Sequence, residues 1–172
     1  RSLAVVYNPA EQNSLINIAE LRERAAAGQF HLIEKPAPLD GNGNPMGDAV
    51  PRLVEEAKAE GAEWLYIGPD SFTAVHADAL TGTAIQQLLP TFAATELPLM
   101  NSKAMSGLVS PYYALGKLTA SQAEKILIAG KAPGQLPVAQ LSRFSLVLNM
   151  PVIKQLGFYP PMRVLGIADI IR

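Results

Sequence analysis

Short apolar runs alternate with amphipathic segments along most of the chain. Residues 3–7 and 64–67 are apolar runs bounded by turn residues, which is typical of buried strands. Residues 15–27 and 50–61 repeat apolar side chains at helical spacing, and Ser14 and Asp48 are the predicted caps of these two helices. Strands that alternate with helices pair in parallel through right-handed crossovers. Further strands are predicted at 30–34, 91–94 and 107–110, with one helix that follows residue 71 and runs to about residue 89 and another at 112–129.

This alternation predicts an α/β fold with three layers, in which helices cover both faces of a doubly wound parallel sheet of about five strands. The predicted architecture is a flavodoxin-like lobe. The pattern changes after residue 136, where an extended segment at 136–139 precedes another apolar run at 144–148. Asn149 then has the side chain and the position to cap a helix. We therefore expect residues 1–136 to form one lobe, and residues 137–172 to form a hinge strand and a tail.

Charge and composition exclude several classes of function. Of 172 residues, 49% are hydrophobic and the formal net charge is −1, so we expect no nucleic acid partner. The chain has no cysteine and no apolar run near the roughly 20 residues that a membrane helix needs. Because the sequence opens directly on a strand, we expect it to be part of a longer protein.

Signals for catalysis or metal binding are weak. His31 and His76 lie far apart in the sequence, and neither has acidic neighbours at metal-ligand spacing. Asp70 and Glu96 fall at the same predicted end of the sheet, but an acid beside a helix start more often caps a backbone amide. We therefore predict no enzymatic activity, no metal site and no cofactor.

Polar side chains follow the predicted strands at one end of the sheet. The carboxyl ends of parallel strands meet at one edge, and ligands of doubly wound sheets bind there. The predicted ligand-binding residues are Asn8, Asn13, Ser14, Pro69, Asp70, Ser71, Thr95 and Glu96.

Several motifs resemble a known family when they are taken in order along the chain. They are Val-Val-Tyr-Asn-Pro-Ala-Glu-Gln-Asn-Ser at 5–14, Leu-Tyr-Ile-Gly-Pro-Asp-Ser at 65–71, Pro-Thr-Phe-Ala-Ala-Thr-Glu at 90–96, Leu-Pro-Val at 136–138, Phe-Ser-Leu-Val-Leu-Asn at 144–149 and Leu-Gly-Phe-Tyr-Pro-Pro at 156–161. Together they resemble the second half of the ABC-type uptake substrate-binding family, which includes tryptophan- and tyrosine-binding proteins.

The resemblance implies the two-lobed fold of type I periplasmic binding proteins. This chain would supply the second lobe, and the first lobe would be absent from it. The implied function is to bind a small solute, such as an amino acid, between the lobes and to deliver it to an ABC transporter permease. The implied location is periplasmic or extracytoplasmic.

Other interpretations stay open at this stage. The same lobe could sense a ligand for a signalling or regulatory protein, or belong to a flavodoxin-like enzyme. We also expect the tail to expose an apolar face, formed by Phe144, Leu146, Leu148 and Phe158, which favours a homodimer of the isolated lobe.

Overall fold

One sheet of seven strands organises the molecule, and the computed structural model describes residues 1–172. The strand order is β2-β1-β3-β4-β5-β6-β7. The α/β fold class predicted from the sequence is confirmed. The strands are β1 (Ser2–Tyr7), β2 (His31–Pro36), β3 (Trp64–Ile67), β4 (Thr91–Ala93), β5 (Ser106–Val109), β6 (Ser145–Asn149) and β7 (Asp169–Ile171). The helices are α1 (Gln12–Ala26), α2 (Val50–Ala59), α3 (Ser71–Val75), α4 (Ala77–Gln86), α5 (Leu97–Met100), α6 (Tyr112–Leu127), α7 (Met150–Gln155) and α8 (Met162–Leu165).

Helices pack on both faces of the sheet, as the doubly wound pattern requires. The main core joins the inner face of β3, through Leu65, to α2 and α4, through Val54 and Leu80. On the opposite face, Ile18 of α1 packs with Val5 of β1. Parallel strands that are covered on both faces are apolar throughout, which explains the uninterrupted apolar run of β1. None of the helices is long and apolar enough to cross a membrane.

The number of strands and one of the pairings differ from the sequence prediction. There are seven strands rather than about five, and β5 and β6 are antiparallel, with Val109 opposite Ser145. A parallel strand needs a crossover that returns the chain to the other end of the sheet. The connecting helix α6 buries none of its residues, so it does not provide such a crossover. β6 therefore starts at the end of the sheet where β5 finishes.

The tail shares the sheet of the lobe. β6 pairs with β5, and β7 pairs with β6 in parallel. The structure has no strand at 136–139, where the hinge strand was predicted; a 3-10 turn (Pro133–Gln135) precedes this segment, and Val138 is 91% exposed. Leu148 is buried and Leu146 half-buried within the sheet, whereas Phe144 stays exposed. The expected apolar face of the tail is thus partly covered by its own lobe.

Some helix starts also differ from prediction. Ser14 was expected to cap α1, but this helix starts at Gln12 and leaves Ser14 inside it. Asp48 was expected to cap α2, but it lies in a 3-10 turn before that helix. Asn149 does cap α7, since its side chain accepts a hydrogen bond from the Val152 amide.

Candidate functional site

The loops that follow β1, β3 and β4 meet at the carboxyl edge of the sheet and enclose an open cavity of about 280 Å³. β1 and β3 are direct neighbours in the sheet, and so are β3 and β4. Their ends therefore lie side by side although the three loops are far apart in sequence. The cavity is lined by Glu11, Asn13, Pro69, Asp70, Ser71, Ala74, Thr95, Leu97 and Tyr112.

The buried carboxylate of Asp70 joins the loops after β1 and β3. It accepts hydrogen bonds from the backbone nitrogen of Asn8 at 2.7 Å, from the backbone nitrogen of Thr73 at 3.0 Å, and from the hydroxyl of Ser14. The bond to Thr73 caps α3, which is the role that a short acidic side chain commonly has at a helix start. Asp70 and Ser14 therefore bind to each other within the protein and shape the cavity wall.

The side chain of Asn8 likewise forms its hydrogen bond within its own loop. Its side-chain oxygen accepts a hydrogen bond from the Ala10 amide at 2.9 Å, which forms a local turn after β1. This turn directs the chain from the end of β1 into α1. Asn8 does not line the cavity; it holds the loop that carries Glu11 and Asn13.

Glu11 brings the start of α1 into contact with the start of α3. Its carboxylate accepts hydrogen bonds from the backbone nitrogen of Ser71 at 3.1 and 3.2 Å, and from the Ser71 hydroxyl at 3.1 Å. The carboxylate thus lies at the cavity wall in a fixed orientation. Glu11 is half-buried, so the group is also open to the cavity.

The third side of the cavity comes from the loop after β4 and from the start of α6. The carboxylate of Glu96 accepts a hydrogen bond from the Tyr112 amide at 2.8 Å, which attaches the first turn of α6 to this loop. Thr95 and Tyr112 then face the cavity, while Glu96 itself does not line it.

A second open cavity of about 350 Å³ adjoins the first and shares Asn13 and Pro69 with it. Asn17 lies at its wall and donates a long hydrogen bond of 3.4 Å to the Tyr66 hydroxyl. Burial raises the pKa of Tyr66, so this hydroxyl stays protonated at neutral pH. No lysine, arginine or histidine lines either cavity.

The eight residues predicted from the sequence divide into two groups. Asn13, Pro69, Asp70, Ser71 and Thr95 line the first cavity, of about 280 Å³. Asn8, Ser14 and Glu96 instead hold the loops through hydrogen bonds. Sequence reasoning missed the lining residues Glu11, Ala74, Leu97 and Tyr112. For Glu11 the signal was its place directly before α1, whereas nothing local in the sequence pointed to Tyr112.

No group of three or more histidine, aspartate or glutamate side chains could hold a metal ion. A doubly wound α/β lobe with an open polar cavity at the carboxyl edge of its sheet is typical of ligand-binding lobes. That is the class of protein that the fold and the cavity define.

Comparison with known proteins identifies the family. The chain belongs to the ABC transporter substrate binding protein family, whose model matches residues 1–171. It is 24% identical over 156 residues to the tyrosine-binding protein of Clostridioides difficile, and this match covers 91% of the chain and 42% of the relative.

Solved structures show the same fold. The crystal structure of a conserved domain protein from Vibrio cholerae matches with a TM-score of 0.81 at 30% identity, over 99% of this chain and 54% of that one. The ABC domain from Streptococcus pneumoniae in complex with L-Trp matches with a TM-score of 0.79 at 17% identity, over 100% of this chain and 56% of that one. The chain thus spans about half the length of the relatives that it matches.

Proposed function

We propose that this chain is the second lobe of the solute-binding component of an ABC uptake transporter. The observation that carries the proposal is the polar cavity at the carboxyl edge of the sheet, in a member of a substrate-binding family. The protein would bind a small solute between two lobes and present it to the transporter permease, on the periplasmic or extracytoplasmic side of the membrane.

The openness of the cavity supports a cleft between two lobes. Small-molecule sites bury most of their ligand. This cavity is bounded by three loops and the start of α6, and it is open to solvent. A second lobe that closes over the rim would exclude water and complete the site.

Helix α6 supports the same arrangement. It is 16 residues long and buries none of them, although it exposes Leu115 and Leu127, and Ile128 directly after it is also exposed. A helix with exposed leucine and isoleucine side chains is normally packed against another surface. We propose that α6 packs on the other lobe, and that residues 110–111 and 128–144 are the connections between the lobes. The proposed hinge then contains the extended segment at 136–139.

An amino acid is the solute class that we propose. Relatives of this chain are a tyrosine-binding protein and a domain solved with L-Trp. The residues that line the cavity carry hydroxyl, amide and carboxylate groups, which can hydrogen-bond to the polar end of an amino acid. The exposed ring of Tyr112 supplies an aromatic surface at the same cavity.

Calorimetry tests the proposal on two proteins: the 172-residue chain and the intact protein that contains it. L-Tyrosine, L-tryptophan and a panel of other amino acids, sugars and small acids would be titrated into each. We expect the intact protein to bind at least one amino acid, and the lone chain to bind it at least 100-fold more weakly because half of the cleft is missing. Equal binding by the lone chain would show that a second lobe is not needed for binding and would contradict the proposed cleft.

A pair of variants connects that binding to the cavity. Asn13→Ala removes a polar group from the wall, so we expect weaker binding by the intact protein. Asn42→Ala is the matched control, because Asn42 is exposed in a surface turn and lines neither cavity. Absence of binding to every solute in the panel would contradict the proposed function itself.

A further inference from the structure

The charged groups at the candidate site are all acidic. Glu11 and Asp70 line one cavity, Glu20 lines the adjoining one, and no basic side chain lines either. A zwitterionic amino acid has an ammonium group and a carboxylate, which need partners of opposite charge or a set of hydrogen-bond donors. This half of the proposed cleft offers an ionic partner only for the ammonium group.

The three acids differ in what they can still bind. Asp70 is buried and already accepts hydrogen bonds from Asn8, Thr73 and Ser14. Glu20 is exposed on the outer surface of α1, and nothing in the structure holds its carboxylate in place. Glu11 is half-buried at the cavity wall and is held by Ser71 through its backbone nitrogen and its hydroxyl.

Glu11 also has acceptor capacity to spare. A carboxylate offers about four lone-pair sites, and Ser71 supplies only two donor groups. An ammonium group carries donors and no acceptors, so it matches the remaining sites. The neighbouring Asn13 and Thr95 add neutral oxygen acceptors at the same cavity.

We propose that Glu11 is a specificity-determining residue of this site and binds the ammonium group of an amine-bearing solute. This proposal rests on the proposed function, and it assigns the solute carboxylate to the other lobe. A half-site with one fixed carboxylate and no basic side chain repels an anionic solute that lacks an amine. The site therefore distinguishes amino acids from the corresponding deaminated acids.

The test uses matched ligands on the intact protein. L-Tyrosine and L-tryptophan would be compared with 3-(4-hydroxyphenyl)propanoate and indole-3-propanoate, which keep the ring and the carboxylate but lack the amine. Glu11→Gln keeps the shape and removes the charge, and Glu11→Asp keeps the charge but withdraws it from the cavity. Glu23→Gln is the control, since Glu23 is exposed on α1 and lines neither cavity.

For wild type, we expect amino acids to bind more tightly than their deaminated analogues. Glu11→Gln should weaken amino-acid binding by about 10- to 100-fold, the usual range for losing a charge-assisted hydrogen bond, while binding of the analogues stays the same or improves. Glu11→Asp should show an intermediate loss, and Glu23→Gln should match wild type. Thermal unfolding of each variant verifies that the fold is intact.

The outcomes separate this proposal from the proposed function. Equal loss for amino acids and analogues, or no loss for either, would show that Glu11 does not recognise an amine. If wild type binds solutes of the panel but prefers those without an amine, the binding function stands and the role of Glu11 is refuted. If wild type binds no solute at all, both proposals fail.

Discussion

The carboxylate of Asp70 lies 2.7 Å from the backbone nitrogen of Asn8, 62 residues earlier in the chain. This hydrogen bond joins the ends of two neighbouring strands, β1 and β3, at the edge of the sheet where the candidate site lies. The same carboxylate caps α3 through the Thr73 amide. One buried side chain therefore fixes the relative positions of two loops of the cavity.

Asp70→Ala should be among the most destabilising substitutions in the chain. It leaves the Asn8 amide, the Thr73 amide and the Ser14 hydroxyl without their acceptor. We expect the free energy of unfolding to fall by about 2–4 kcal/mol, the loss of several bonds to one charged group. Urea denaturation measures this. Asp48→Ala, at an exposed aspartate with no side-chain hydrogen bond, is the control and should change stability by less than about 0.5 kcal/mol.

Gly107→Ala should destabilise the centre of the sheet. A Cβ atom at this position of β5 would lie 2.5 Å from the Ala93 carbonyl oxygen and 2.8 Å from Leu99 Cδ1. The resulting overpacking should cost about 1–3 kcal/mol. Gly82→Ala is the opposite case, because its Cβ would meet nothing within 4 Å in α4 and alanine favours the helix. Equal stability of the two variants would contradict this description of the core.

Leu88→Gly should stabilise the protein. Leu88 lies two residues after the end of α4 with a φ of 50°, a backbone conformation that is strained for leucine, and its side chain is 65% exposed and so buries little. The Leu88 and Leu89 amides bond back to the Ile85 and Ala84 carbonyls, an arrangement in which glycine is preferred. We expect a gain of about 0.5–1 kcal/mol in the free energy of unfolding. Leu88→Ala keeps the strain and should show no such gain.

The pair formed by Glu34 and Arg22 predicts a dependence of stability on pH. Hydrogen bonds from Arg22, at 2.7 Å to each carboxylate oxygen, hold the pKa of Glu34 below its usual range. Since the folded pKa is the lower one, the stabilisation is present above the unfolded pKa of about 4.3 and is lost as the pH falls below it. Arg22→Gln should therefore reduce the loss of stability between pH 6 and pH 3. Arg24→Gln, which forms no such pair, should leave that slope unchanged.

The 172-residue chain on its own should self-associate. Leu127 at the end of α6 is 82% exposed, and Ile128 in the following turn is 80% exposed. Phe144, directly before β6, is 60% exposed. Light scattering should give a mass above the 18.4 kDa of a monomer. The double variant Leu127→Lys, Ile128→Lys should shift the chain towards monomer, whereas Val75→Lys, at another exposed apolar residue, should not. A monomeric wild type would contradict the homodimer expected from the sequence.

The positions of the first five strands could be predicted because each apolar run is short and is separated from the next by a segment with helical spacing. The pairing of β6 could not, since it depends on α6 leaving the sheet, and the amphipathic pattern of α6 resembles that of a helix that covers one. The break between α3 and α4 at His76 also escaped prediction, because residues 71–89 carry apolar side chains throughout.

The position of the cavity at the carboxyl edge could be predicted from topology alone, since parallel strands bring Pro69 and Thr95 to one edge. The roles of individual residues could not. Ser14 looked like a helix cap, yet its hydroxyl bonds to Asp70, a partner 56 residues away. Glu11 contacts Ser71 across 60 residues. Such pairs depend on the register between strands, which no local pattern of side chains contains.

The lack of burial along α6 also determines how fast its amide hydrogens exchange with solvent. With no buried residue, its backbone hydrogen bonds are protected by little more than the helix itself, and isolated helices of about this length are marginal in water. Its amides should exchange with deuterium far faster than those of β1 or β3, as a unit that opens without unfolding the sheet. In the intact protein, closure of the lobes would slow that exchange if α6 packs on the other lobe. Deuterium uptake along one helix would then report on the assembly of the whole binding protein.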